Sequence, residues 1–144
     1  MKQLYYQNEY IRAYFDKTNQ IFEQIWLPET LSMTNKDYKR ISYDIIDLYK
    51  KCCPQKVIAD LRDLRFMVDP SHEKELAVEL NKIALKMMAI VLPENLFSKI
   101  DVEETVEMLK KIGLNVEVSY FQTYEKAEEW LNNEFSNDKL DTTF

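Results

Sequence analysis

The run Val57–Leu61, between Lys56 and the charged stretch Arg62–Arg65, constrains this chain more than any other segment. It is apolar except for Asp60 and shows no alternation of apolar and polar positions. A strand of that kind is covered on both faces, which puts it at the centre of a sheet with helices packed over it. A second segment, Val116–Phe121 followed by Thr123–Leu131, repeats the passage from buried strand to helix. Such passages are the building unit of a layered α/β domain.

The other elements follow from periodicity and punctuation. Tyr10–Phe15 alternates, with Ile11, Ala13 and Phe15 on one face; Asp16–Asn19 is a turn; Ile21–Trp26 alternates again. This predicts an antiparallel hairpin with one face on a core, and Leu4–Gln7 adds a short strand before it. Pro28–Met33 reads as a loop. Thr34–Asp37 resembles a capping box with Asp in place of Glu, opening a helix whose apolar positions are Ile41, Ile45, Leu48 and Cys52 and which Pro54 stops. Asp69 as N-cap and Pro70 in the first turn open the next helix, with Leu76, Leu80, Ile83 and Met87 as its stripe. Met88–Leu92 is a buried strand ended by Pro93. Asp101–Glu104 starts a third helix, buried through Val102, Val106, Leu109 and Ile112. Gly113 stands where a C-cap needs a left-handed residue. Thr123 caps a last helix that buries Ala127, Trp130 and Leu131.

The order is a β-hairpin followed by α-β-α-β-α-β-α. The fold class is therefore α/β: a mixed sheet of five or six strands, antiparallel at its start and parallel after it through right-handed crossovers, with helices packed on its faces. Residues 1–133 form one domain, and 134–144 a polar, flexible tail. In such sheets ligands favour the carboxyl ends of the strands, here Arg62–Ser71, Pro93–Lys99 and Phe121–Tyr124.

Composition narrows the chemistry. At 144 residues roughly two thirds of the unfolded surface can be buried, enough for one core, and the many large side chains should fill it. One glycine in the chain excludes a Gly-rich phosphate cradle. The net charge is −6 with the bases scattered among acids, which argues against nucleic acid as a partner. No apolar run reaches the ~20 residues of a membrane span, so no membrane insertion is expected, and the N-terminus lacks a signal-peptide core, so a cytoplasmic location is expected. The two cysteines, Cys52 and Cys53, are adjacent and read as reduced thiols. With His72 the only histidine, a Cys/His metal site cannot be assembled, and no cofactor is expected.

Ala59–Phe66, the strand Ala89–Pro93, and Tyr120–Phe121 followed by Ala127–Leu131 resemble the small bacterial STAS-like proteins. These are relatives of the anti-sigma-factor antagonists and, more distantly, of the CRAL-TRIO lipid-binding fold. The resemblance rests on the Asp-x-Arg strand end and the Ala-x-x-Trp-Leu ending, and it implies a STAS-like mixed sheet. It also implies a regulatory module that docks a partner protein without catalysis, switched by phosphorylation in the loop after the central strand. That loop here is Phe66–His72. Ser71 lies near the phosphorylated position, whereas the family's paired hydroxyl and glycine are absent.

The candidate binding residues are Asp60, Arg62, Asp63 and Arg65 at the strand end, and Asp69, Ser71 and His72 at the helix start. For the first four, a polar site competes with a plainer reading in which Asp60 takes donors from nearby and the arginines pair with acids. Ser71 is a candidate phosphorylation site at a helix start, set against an ordinary first-turn residue. His72 is expected to face solvent in that turn. Tyr38, Tyr43 and Tyr49 are expected to serve in packing. Trp26 packs on the first helix or, in a homodimer, lies between two copies. Three functions stay open: a non-catalytic protein-binding module docking near Asp69–His72, a carrier of a small apolar ligand or lipid, and, least supported, an enzyme.

Overall fold

The computed structural model describes residues 1–141, with side chains described to residue 133. Six strands form one sheet in chain order: β1 (Lys2–Gln7), β2 (Ile11–Asp16), β3 (Ile21–Trp26), β4 (Lys56–Asp60), β5 (Met87–Val91) and β6 (Glu117–Phe121). Pairing is antiparallel across β1–β2–β3 and parallel across β3–β4–β5–β6. The helices are α1 (Asn35–Cys52), α2 (Pro70–Leu80), α3 (Leu96–Lys111) and α4 (Tyr124–Asp141). The expected α/β class and mixed sheet are thus present. The tail expected from residue 134 has its side chains, and residues 142–144 altogether, outside the described residues.

Each parallel crossover steps the same way along the sheet, so right-handed connections lay α1, α2 and α3 side by side on one face. The alternation of each strand splits the core accordingly. Val57, Ala59, Ile90, Val116 and Val118 join Ile41, Ile45, Leu76, Val102 and Val106 beneath these three helices. On the other face Ile21, Ile58, Met87, Ala89 and Val91 pack under Ala127 and Leu131 of α4. All five residues of β4 are buried, as a strand with no alternation and a helix layer on each side must be. Buried Lys56 on the α4 face donates to the Leu131 carbonyl at 2.8 Å.

Local signals explain most boundaries. Thr34 and Asp37 form the reciprocal capping box of α1. Asp69 Oδ1 accepts from the Ser71 amide at 2.9 Å with Pro70 following, and Thr123 Oγ1 accepts from Lys126 N at 3.3 Å. Gly113 has φ +105°, and the Leu114 amide turns back to the Leu109 carbonyl at 2.9 Å, closing α3.

Several expectations need correction. α3 begins at Leu96, not near Asp101, because Asn95 Oδ1 accepts from both Phe97 N and Ser98 N. Helix α2 stops at Leu80, so Ile83 lies in a turn and Met87 opens β5. In α1 the buried positions are Ile41, Ser42, Ile45, Ile46 and Tyr49, with Leu48 and Cys52 only half-buried; Ile112 is exposed and Trp130 half-buried. β1 starts at Lys2, and a register shift between Leu4 and Tyr6 turns both Tyr5 and Tyr6 toward the three-helix face. There Tyr5 meets Phe15 edge-on at 5.9 Å and the Tyr6 hydroxyl donates to Asp44 of α1 at 2.9 Å.

Candidate functional site

Three parallel helices that follow three neighbouring strands start at one edge of the sheet, so their first turns meet there. Tyr38 is the fourth residue of α1 and Glu73 the fourth of α2. The Tyr38 hydroxyl donates to Glu73 Oε1 at 2.5 Å, tying the two helix heads together. Tyr38 also stacks on Phe66 at 5.2 Å and lies 5.6 Å from Trp26, which packs in the core as expected.

Below this pair lies a cavity of about 170 Å³ between the sheet and the three helices. The sheet contributes Ala59, Ile90, Val116 and Val118 to its walls; the helices contribute Ile45, Leu76, Val102 and Leu109. Its middle is fully buried, while Leu61, Leu64, Val68 and Glu73 at the carboxyl end of the strands are half-buried. The expectation that large side chains fill this core is overturned. Leucines, valines and isoleucines from three separate helices meet over the sheet without interdigitating fully.

Most polar groups on the walls satisfy one another. The Trp26 indole donates to Gln24 Oε1 at 3.1 Å, the Gln24 amide donates to the Tyr49 hydroxyl, and the Ser42 hydroxyl donates to the Tyr38 carbonyl at 2.8 Å. Glu73 differs: among the described residues its Oε2 carries no hydrogen bond, and no lysine or arginine makes an ion pair with it. Burial pushes its carboxyl pKa up, the Tyr38 hydroxyl opposes this, and Asp101 and Asp69 add to the rise. Burial likewise raises Asp101, and Tyr38 stands well above the ordinary phenol range through burial and its carboxylate neighbour.

The residues expected at the site do not come together. Asp60 is buried on the α4 face and has the partner its burial demands: Arg62 binds both carboxylate oxygens, Nε at 3.0 Å and Nη2 at 2.7 Å. This pair lies across the sheet from the cavity. Asp63 is exposed. Arg65 is exposed too and is held through its backbone amide, which donates to the buried Thr30 hydroxyl at 2.9 Å. Asp69 caps α2 and Ser71 is exposed beside it. His72 does not face solvent: it is 2% exposed, wedged edge-on between Tyr38 at 5.5 Å and Tyr43 at 5.8 Å. Among the described residues neither of its ring nitrogens has a hydrogen-bond partner.

The sequence reading did not bring Tyr38 and Glu73 together, although a signal existed. Carrying the stripe Leu80, Leu76 back by one more turn, three or four residues, lands on Glu73 and His72. A carboxylate heading an apolar stripe is an informative exception to burial rules. Among the described residues no group of His, Cys, Asp and Glu converges to hold a metal ion, and no helix is long and apolar enough to cross a membrane. No family model, curated protein or solved structure matches the chain.

Proposed function

We propose that this protein is a non-catalytic binding module whose cavity under α1–α3 takes a small, largely apolar ligand. One observation carries the reading: about 170 Å³ of space walled by apolar side chains in a chain of 144 residues. An engineered apolar cavity of about 150 Å³ stays dry and binds benzene, so this one suits a ligand body of similar size. The test is thermal unfolding with and without saturating toluene. Wild type should melt higher with toluene, because a ligand that binds only the folded state stabilises it. Ala59→Leu, which fills the cavity from the sheet side, should lose the shift. An unchanged melting temperature in wild type, or the same shift in both proteins, overturns the proposal.

A second reading, docking of a protein partner at the carboxyl edge near Asp69–His72, is favoured by a separate observation. Three neighbouring strand ends there carry exposed apolar side chains: Leu31 after β3, Met67 (75% exposed) after β4, and Leu96 and Phe97 (82% exposed) after β5. Ser71 is exposed beside them, where added phosphate would change a partner's affinity. Comparing the partners retained by wild type, Ser71→Asp, Ser71→Ala and Phe97→Ser tests it. Identical partners in equal amounts for all four would remove this reading.

A further inference from the structure

We infer that the ligand of this cavity is a small amphiphilic amine, its apolar body under α1–α3 and its ammonium on Glu73 at the carboxyl end. The inference rests on the proposed ligand-binding function and names the class of ligand.

Four observations lead to it. The cavity walls are apolar apart from a few side chains, and the Gln24, Tyr49, Trp26 and Ser42 groups are engaged with protein partners. Glu73 lines the same space and offers Oε2, while Tyr38 fixes Oε1 and so the orientation of the carboxyl. Thr105 adds a hydroxyl to the lining with acceptor capacity. The charged groups that bear on Glu73 are two more acids, Asp69 and Asp101.

A head group must match that arrangement. An ammonium donates up to three hydrogen bonds and accepts none, and it makes charge-assisted bonds to carboxylate. A hydroxyl can donate to Oε2 but carries no charge for Asp69 and Asp101 to attract. A carboxylate ligand is repelled by all three acids. Because Glu73 is half-buried, the ammonium stays partly hydrated at this end, which limits its desolvation cost.

Benzylamine, benzyl alcohol, benzoate and toluene share a ring that suits the cavity and differ at the head. Calorimetric titration of wild type should place benzylamine at least about tenfold tighter than benzyl alcohol, with benzoate weakest. In Glu73→Gln, which keeps the hydrogen bond to Tyr38 and the side-chain shape, benzylamine should fall to the affinity of benzyl alcohol or below while toluene is unchanged. Toluene binding without amine preference in wild type, or amine preference that survives Glu73→Gln, overturns this inference and leaves the cavity reading standing. No binding by any of the four removes both. Should Glu73→Gln fail to fold, the ranking of the four probes on wild type decides the matter alone.

Discussion

Replacing His72 by phenylalanine should make this protein more stable, against the usual direction of core substitutions. The ring is buried, both nitrogens lack hydrogen-bond partners among the described residues, and a carboxylate oxygen, Glu75 Oε2, stands 3.8 Å from Nδ1, beyond a hydrogen bond. Each buried polar atom left unmatched costs about 1–3 kcal/mol, so the pair carries about 2–6 kcal/mol. Phenylalanine removes that cost and keeps the edge-on contacts with Tyr38 and Tyr43, but its six-membered ring overpacks the site by about 1–3 kcal/mol. Taking the middle of each range, a net gain of about 2 kcal/mol follows, with the polar term deciding the sign. The gain should also depend on pH. Burial first and Lys39 second hold the His72 pKa below its ordinary value, with Glu75 and Asp69 pulling the other way. As pH falls past about 6.5 the unfolded chain takes the proton before the folded one does. Wild type then loses up to about 1.4 kcal/mol per pH unit, until the folded ring is protonated in turn. The variant lacks this loss, so urea unfolding at about pH 7.5 and about pH 5.5 should show its advantage widening at the lower pH. Acid-linked changes from Glu73 and Asp101 occur in both proteins and cancel in the difference. A variant no more stable than wild type, with the same gap at both pH values, refutes the reasoning.

Two other substitutions test separate parts of the fold. Arg62→Ala should destabilise by about 1–3 kcal/mol, because it leaves the Asp60 carboxylate buried without its bidentate partner. Adding Asp60→Asn should recover much of that loss; a double variant that simply sums the two single losses would show that the pair is not coupled. Gly113→Ala should cost about 1–2 kcal/mol in chemical denaturation through its backbone alone, since φ is +105° and nothing lies within 4 Å of an added Cβ. No measurable cost would mean that this turn relaxes to negative φ.

The layering was legible because it depends on period and punctuation, and both are local. Val57–Leu61 read as a central strand because every position is apolar or paired; Thr34, Asp69 and Thr123 read as caps because their side chains bond amides two or three residues on. The first turn of α3 was illegible for the same reason in reverse. Asn95 is a sound cap, but Leu96, Phe97 and Ile100 are exposed, and exposed apolar residues do not mark a helix face. His72 was misread because first-turn helix positions usually meet solvent; only the packing of α2 against α1, which brings Tyr38 and Tyr43 over the ring, buries it. The cavity had no local signature. It depends on how closely three helices approach one sheet, and composition alone pointed to a filled core.

The two faces of the sheet show why that void persists. Under α4 the cluster includes Ala89 and Ala127, and such small residues let helix and sheet approach closely. Under α1–α3, a void of about 170 Å³ costs about 4 kcal/mol at roughly 24 cal/mol per Å³, so collapse would be favoured if nothing opposed it. Glu73 opposes it. Drawing the helix heads together would take its charge out of water with no cation beside it, at an effective cost of several kcal/mol, comparable to the gain. A ligand with an apolar body and a cationic head removes both costs at once. Glu73→Met should therefore let α2 settle onto the sheet and raise the stability of the unliganded protein by about 1–3 kcal/mol in urea unfolding, with toluene affinity falling as the space closes. If Glu73→Met is no more stable than wild type and toluene binds as before, the cavity is held open by the packing of its apolar walls, and the carboxylate has no part in keeping it.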